Sequence, residues 1–259
     1  MPTLVYTMAL TMATLANDGS PATPFTQPVE GTTLSIDMRP MPGTDPPAWV
    51  SRDEISWDLY DALVYRLDVP ADAGPTEGVT RPTKPYLMAD RGWGHAGFPA
   101  LSVSPRGAEA FCVWLTSKTG RVWRLPTVSE WTALCEASGI TPDSLDAHAW
   151  HAGNAEKRTH AIGTRQADAN GLHDLWGNVS EWCRAADGSQ VLMGGCYLDG
   201  GPGCSMQKVP TPAWNDTDPQ IPKSVWWLAD APFAGFRVVC EAPPGKTAEE
   251  ETANDEPAK

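Results

Sequence analysis

The sequence predicts a single α+β domain in which short helices and short strands are joined by extensive loops. Its 259 residues include 25 prolines and 23 glycines, which interrupt the chain too often for long helices. Three helix starts and three short strand patterns can nevertheless be recognised. The chain is long enough to bury a sizeable core, and no internal linker divides it, so we expect one domain.

Each of the three predicted helices begins at a capping signal. Ser56 is a candidate N-cap for the first, and Ser104-Pro105 begins the second, which Gly120 closes. Thr127 and Glu130 have the spacing of a capping box at the start of the third. Apolar residues recur at helical spacing after each cap, so these helices are expected to pack against the core.

Three short segments have the alternation or composition of strands: 121–124, 191–193 and 236–240. In the last, Phe236, Val238 and Cys240 alternate with Arg237 and Val239, which predicts a strand through the centre of the domain. Twelve tryptophans accompany these elements, and we interpret them as large rings that pin long loops to a small core.

The acidic composition argues against partners that present phosphate groups. The formal net charge is −13 and no cluster of Lys or Arg is present, so nucleic acid and anionic membranes are not expected partners. No segment is long and apolar enough to suggest a membrane span. We expect a monomer that binds a protein or small-molecule ligand.

Both ends of the chain differ in composition from its middle. Residues 4–16 form a moderately apolar run that ends in Thr14-Leu15-Ala16, so residues 1–16 resemble a signal peptide, although no Lys or Arg precedes the run. Residues 17–48 are interpreted as an N-terminal extension and 242–259 as a disordered acidic tail. Six cysteines, an even number, favour disulfides and hence a secreted or periplasmic location.

The most informative motif is the run 171–182, Gly-Leu-His-Asp-Leu-Trp-Gly-Asn-Val-Ser-Glu-Trp. It places Asp174 and Glu181 on either side of a turn that contains Gly177. Carboxylates together with backbone carbonyls are the ligands that calcium prefers. The run therefore predicts a calcium site, against the alternative of an ion-free turn capped by Asp174.

Together with four further motifs, this run resembles the formylglycine-generating enzyme, or sulfatase-modifying factor, family. The match extends from about Trp49 to Cys240, so residues 49–241 are interpreted as a domain of this family. The supporting motifs, in the family's order, are Glu54-Ile55-Ser56-Trp57, Arg124-Leu125-Pro126-Thr127 with Glu130-Trp131, Gly194-Gly195, and Gly235-Phe236-Arg237. The resemblance implies a C-type-lectin-like fold with small twisted antiparallel sheets, two or three helices and long loops.

The resemblance also implies the ligands of the calcium ion. The equivalent positions are the side chains of Asp174 and Glu181 and the backbone carbonyls of Gly177 and Val179. All four are chemically competent oxygen donors.

Catalytic members of the family bind copper(I) through two cysteines after the Gly-Gly pair, and they oxidise a substrate cysteine to formylglycine. Counted from Gly195, the first of these positions holds Asp199 and the second Cys204. A carboxylate is a poor ligand for soft copper(I), so the standard activity is expected to be lost. The alternative is a copper-dependent oxidase that uses Cys204 with Cys196 as its catalytic pair.

The resemblance suggests disulfides as well. A bridge in the family matches Cys112 and, after a shift of two residues, Cys240. Cys135 matches another bridging cysteine, but its usual partner position holds Val209, and Cys204 is one candidate to replace it. Six cysteines allow fifteen connectivities, and a Cys196–Cys204 bridge also remains open.

Two further groups of residues invite a functional interpretation. His148, His151 and His160 suggest a metal site, but Gly153 interrupts them, so we favour a loop without a metal. Arg237 follows the aromatic pair Trp226-Trp227 and could receive an anion in a pocket, but we favour an internal ion pair.

Overall fold

The computed structural model describes residues 22–241. The predicted signal peptide (1–16) and acidic tail (242–259) therefore lie outside the described residues. Within the described range the strands, named in chain order, are β1 Phe25–Pro28, β2 Ser35–Pro40, β3 Ala48–Ser51, β4 Trp123–Arg124, β5 Ser180–Arg184, β6 Gln190–Gly194, β7 Gly203–Lys208, β8 Ala234–Gly235 and β9 Val239–Glu241. The helices are α1 Trp57–Val64, α2 Pro105–Thr119, α3 Val128–Glu136 and the short α4 Leu145–His148, followed by a 3-10 turn at Pro212–Asn215.

The strands form two small sheets. The first has the order β1-β2-β3-β9-β4 and is antiparallel throughout. The second has the order β7-β6-β5-β8, in which only the β5–β8 pair is parallel. β1 and β2 come from the segment interpreted as an extension, and they are hydrogen-bonded into the same sheet as β3.

The three predicted helices are confirmed, and each begins at its predicted cap. The Ser56 hydroxyl accepts a hydrogen bond from the Leu59 amide, and Ser104 caps α2. Gly120 ends α2 in the left-handed conformation, with φ +67°. Thr127 and Glu130 make both hydrogen bonds of the predicted capping box at α3. The fold class predicted from the sequence, α+β with few helices and small sheets, is confirmed.

Only the end of the predicted strand 236–240 is a strand: Val239 and Cys240 belong to β9. Residues 236–238 lie between β8, which ends at Gly235, and β9, and the Arg237 side chain there is fully buried. Large aromatic side chains fill the core around it. Those buried almost completely include Trp57, Trp114, Trp131 and Trp182. The interpretation of the tryptophans as core residues is confirmed for these four.

One disulfide is present among the described residues, between Cys135 and Cys204, with Cα atoms 5.5 Å apart. It ties the last turn of α3 to β7. The Cys112–Cys240 bridge implied by the family resemblance is wrong, because both are free, buried thiols. A shift of two residues along a strand moves a side chain by about 7 Å, and a disulfide tolerates Cα separations only up to about 7 Å.

The described residues contain no helix that combines the length and apolar character needed to cross a bilayer.

Candidate cation site and cysteine loop

The run 171–182 forms a tight buried turn that leads into β5. Asp174, Gly177 and Asn178 all have positive φ angles, of 54°, 95° and 47°. A Cβ atom on Gly177 would lie 2.2 Å from the Trp150 carbonyl oxygen, so glycine is required at this position. The turn thereby packs closely against the segment around Trp150.

Asn178 connects this turn to two other segments. Its side-chain Nδ2 donates to Glu54 Oε2 at 2.7 Å, and its Oδ1 accepts from the His160 amide at 3.0 Å. Glu54 also accepts from the Val179 amide at 3.0 Å. Burial, together with the charges of Asp174 and Glu181, raises the pKa of Glu54 well above its usual value. From the sequence, Glu54 was recognised only as part of a family motif, and no role in the site was predicted for it.

Glu181, the predicted carboxylate ligand, is fully buried and paired with Arg237. Arg237 donates from Nε to Oε2 and from Nη2 to Oε1, both at 2.6 Å. Trp131 Nε1 donates to Oε2 at 2.8 Å. The internal ion pair predicted for Arg237 is therefore confirmed, and its partner is a residue that the resemblance assigned to calcium.

The remaining N–H groups of Arg237 are also satisfied. Nη1 donates to the carbonyls of Ser51 and Arg52, and Nη2 donates to the carbonyl of His173. All five donors of the guanidinium thus have acceptors, as a buried charge requires. This side chain joins the β3–α1 connection, the turn and β5.

Asp174 is only 2% exposed, and its two oxygens have different surroundings. Oδ2 accepts from the Gly163 amide at 2.8 Å, whereas Oδ1 is buried without a hydrogen-bond partner. Burial and the neighbouring charge of Asp53 raise the pKa of Asp174 to about 7, against the Gly163 hydrogen bond, which lowers it. A buried carboxylate oxygen without a donor is an unusual feature that a cation would explain.

The four predicted calcium ligands fit the ion unequally. The free Oδ1 of Asp174 suits a cation, but both oxygens of Glu181 already accept hydrogen bonds from Arg237. Over residues 22–241, no three side chains of the types His, Cys, Asp and Glu are grouped so that they could hold an ion. A calcium ion here would therefore depend on backbone carbonyls, such as those of Gly177 and Val179, in addition to carboxylates.

The three histidines that invited a metal-site interpretation each have a local contact. His151 Nε2 lies 2.6 Å from Asp146 Oδ1, and the His160 ring stacks on Trp150 at 3.7 Å between centroids. His148 ends α4 and contacts the Gln166 carbonyl at 3.0 Å. Each ring thus has its own partner.

The loop after Gly194-Gly195 carries the positions of the family's copper ligands. At the first of them, Asp199 Oδ2 accepts from the Cys196 amide at 2.7 Å and forms an ion pair with Lys208. The Lys208 ammonium also reaches Ser180 Oγ at 3.2 Å. These contacts lower the pKa of Asp199, against the effect of its partial burial, so it is an ionised structural residue.

At the second position, the sulfur of Cys204 is bonded to Cys135. Cys196 is a free thiol, but it is buried with Ala155 and Tyr197. Burial raises the pKa of Cys196 to about 12. The two sulfurs of the alternative catalytic pair are thus a disulfide sulfur and a protonated thiol, and neither is in the thiolate form that copper(I) requires.

A comparison with models of protein families decides the identity of this fold. The model described as the sulfatase-modifying factor enzyme 1-like domain matches residues 50–242. The chain belongs to the sulfatase-modifying factor family. A comparison with curated protein sequences gives no match.

Three solved structures share the fold. Treponema denticola variable protein 1 has a TM-score of 0.59 at 17% identity, covering 86% of this chain and 100% of that one. CarF has a TM-score of 0.53 at 18% identity, covering 76% and 87%. PvdO from Pseudomonas aeruginosa has a TM-score of 0.50 at 20% identity, covering 86% and 92%. These similarities concern the fold.

Proposed function

We propose that this domain is exported, that calcium stabilises its scaffold, and that it binds a protein or small-molecule ligand without the family's formylglycine-generating activity. The observation that carries the proposal is the state of the two copper positions. Asp199 is bound to Lys208, and Cys204 is bound to Cys135. An oxidase of the family's type needs two thiolates on this loop, and neither position offers one.

The calcium part of the proposal is supported by Asp174. Its buried Oδ1 has no donor, and it lies in the turn whose Gly177 packs against the Trp150 backbone. Calcium would supply charge compensation and cross-link the turn to its surroundings, without a role in a reaction.

A binding role is supported by an exposed apolar surface away from the cysteine loop. Tyr86 and Met88 are 77% and 70% exposed, and Ile221 is 99% exposed. Tyr86 and Ile221 line one cleft of about 900 Å³ together with Trp226. Exposed apolar groups that gather around a cleft are typical of ligand- or partner-binding surfaces.

Export is supported by the disulfide, because such bonds persist in oxidising compartments. Fractionation of cells that express the full chain, with detection of the mature N-terminus by mass spectrometry, tests this part. Retention of the uncleaved chain in the cytosol would contradict it.

Anaerobic titration with copper(I) tests the loss of activity. We expect no stoichiometric uptake by the oxidised protein and, once oxygen is admitted, no conversion of a cysteine-containing sulfatase-type peptide to formylglycine. The alternative oxidase predicts one copper(I) per chain, lost in Cys204→Ser and Cys196→Ser and retained in the matched control Cys112→Ser. That pattern would overturn the proposal.

A further inference from the structure

An acidic cleft opens beside the buried turn. It lies between β2, the connection from β3 to α1, and the residues Gly97 and Ile162, and its volume is about 330 Å³. Four carboxylates line it, with Arg52 as the only basic residue among the lining residues that the structure describes. They are Asp37, Asp53, Glu54 and Asp58. A cleft with this excess of negative charge attracts and concentrates cations.

Three of these four carboxylates are already engaged. In Asp37 and Glu54 both oxygens have partners, and Asp58 accepts a hydrogen bond from a backbone amide. Asp37 is held by Thr26 and Arg52, and Asp58 accepts from the Gly97 amide at 2.7 Å. Glu54 accepts from Asn178 and Val179.

Asp53 differs from the other three. Its Oδ2 accepts from Arg52 Nε at 2.9 Å, but its Oδ1 is buried and has no hydrogen-bond partner. Its side chain is 15% exposed, so it lies at the inner wall of the cleft rather than at the rim.

Asp53 and Asp174 both lie next to Gly163. The Gly163 amide donates to Asp174 Oδ2 at 2.8 Å, and a Cβ atom built on Gly163 would lie 3.3 Å from Asp53 Oδ1. Gly163 has a φ of +67°, so glycine is favoured at this close approach. Two carboxylates of like charge are thus brought together, each with one oxygen that nothing satisfies.

A metal ion explains this arrangement better than water does. The Oδ1 atoms of Asp53 and Asp174 are both buried from solvent. Calcium approaches its oxygen ligands to about 2.3–2.6 Å, closer than a hydrogen-bonded water at about 2.8 Å, and it carries the charge that two carboxylates need.

The charges of the buried cluster lead to the same conclusion. Four carboxylates, those of Asp53, Glu54, Asp174 and Glu181, surround the turn and repel one another. Of the two guanidinium groups that face them, Arg237 pairs with Glu181, and Arg52 pairs with both Asp53 and Asp37. A divalent cation between Asp53 and Asp174 would offset the repulsion that remains.

We infer that Asp53 is a ligand of the divalent cation together with Asp174, and that the acidic cleft is the route by which the ion enters. This inference rests on the calcium proposed above and changes its ligand set, because Asp53 supplies the second carboxylate while Glu181 remains bound to Arg237.

Calcium titration by isothermal calorimetry, on the full chain stripped with EDTA, tests the inference. Asp53→Asn is expected to weaken calcium binding by at least about tenfold, because it removes a ligand charge. The matched control is Asp37→Asn, which removes the same charge from the same cleft but from a carboxylate whose oxygens have partners. We expect Asp37→Asn to change the calcium affinity by less than about threefold, because Asp37 acts on the ion only through long-range electrostatic attraction.

Thermal unfolding provides the second readout. Without calcium, Asp53→Asn is expected to be about as stable as the wild type, because it relieves the repulsion between Asp53 and Asp174 but weakens the contact with Arg52. With saturating calcium, the wild type and Asp37→Asn are expected to gain stability and Asp53→Asn to gain little. If Asp53→Asn does not fold, Asp53→Ser is measured in the same way.

The possible outcomes distinguish the calcium proposal from the inference that Asp53 is a ligand. No calcium binding by the wild type would overturn both the calcium proposal and the inference. Wild-type binding that Asp53→Asn leaves unchanged would overturn the inference alone. Equal losses in Asp53→Asn and Asp37→Asn would also overturn it, because they would indicate a general effect of charge.

Discussion

The carboxylate of Glu181 and the guanidinium of Arg237 form a bidentate ion pair, with both hydrogen bonds 2.6 Å long and both side chains buried. Glu181 lies on β5 and Arg237 between β8 and β9, so the pair joins the two sheets. In the sequence these residues belong to separate motifs, and each was a candidate for a different ligand. The structure turns them toward each other.

Glu181→Gln is expected to destabilise the domain by about 3–5 kcal/mol, because it leaves the buried guanidinium without a counter-charge. Urea unfolding followed by tryptophan fluorescence measures the effect. The matched control is Glu130→Gln, which also loses an arginine partner, Arg124, but at a partly exposed site. If Glu130→Gln destabilised the domain as much as Glu181→Gln does, burial would not explain the cost of losing the Glu181 charge.

The double variant Glu181→Leu with Arg237→Met is expected to recover much of this loss, since apolar residues can replace a buried ion pair with little cost. A double-mutant cycle with each single variant measures the coupling. Simple additivity of the two single effects would show that the pair does not act as a unit.

The disulfide between Cys135 and Cys204 spans 69 residues of sequence. Its removal in Cys135→Ser is expected to destabilise the domain by about 4 kcal/mol, because the unfolded chain regains the freedom of a long loop. Urea unfolding with and without reductant tests this, and the reduced wild type should resemble the variant. Non-reducing peptide mapping that linked Cys204 to Cys196 would contradict the assignment.

Ser102 combines a φ of +61° with a buried hydroxyl that has no partner. Ser102→Gly is expected to stabilise the domain by about 1 kcal/mol, because glycine relieves the left-handed conformation and removes the unsatisfied group. Thermal unfolding measures the change. Ser102→Ala removes the hydroxyl but keeps the backbone cost, so it should gain less; a loss of stability in both variants would contradict the explanation.

His95 bridges Asp61 and Asp90, at 2.8 and 2.9 Å from its two ring nitrogens. Partial burial acts against the charged ring, but the two carboxylates prevail and raise the pKa of His95 above its usual value. The stability from this bridge is therefore complete below the unfolded pKa of about 6.5 and is lost as pH rises through the higher folded value. Because the ring is half exposed, the contribution should stay below about 1 kcal/mol.

Melting temperatures of the wild type and His95→Gln, measured from pH 5 to pH 9, test this bridge. The difference between the two proteins should be largest at low pH and should vanish at high pH. His148→Gln serves as the control, since its ring contacts a backbone carbonyl and no carboxylate. A difference that grows as pH rises would have the wrong sign.

The local elements were predictable because their signals are local. The caps at Ser56, Ser104 and Thr127 each satisfy backbone amides within the next few residues, so they act whatever the rest of the chain does. The break between β8 and β9 was not predictable. The alternation around Arg237 is that of a strand, whereas the partners of its buried guanidinium, Glu181 and the carbonyls of Ser51, Arg52 and His173, are distant in sequence.

The candidate site shows the same limit. The motif 171–182 identified Asp174 and Glu181, but the residues that decide their roles lie far away in sequence. Asp53 and Glu54 come from the connection before α1. The Cys112–Cys240 pairing failed for a related reason, since a family pattern does not fix the register of a shifted residue.

The disulfide also determines what a protease can do to this domain. Residues 136–203 lie within a covalent ring closed by Cys135 and Cys204, and the ring includes the turn with Asp174 and the loop with Asp199. A single cut in this segment opens the ring without releasing a fragment. The two new ends stay attached to one molecule, so a domain that is cut here keeps its two halves together.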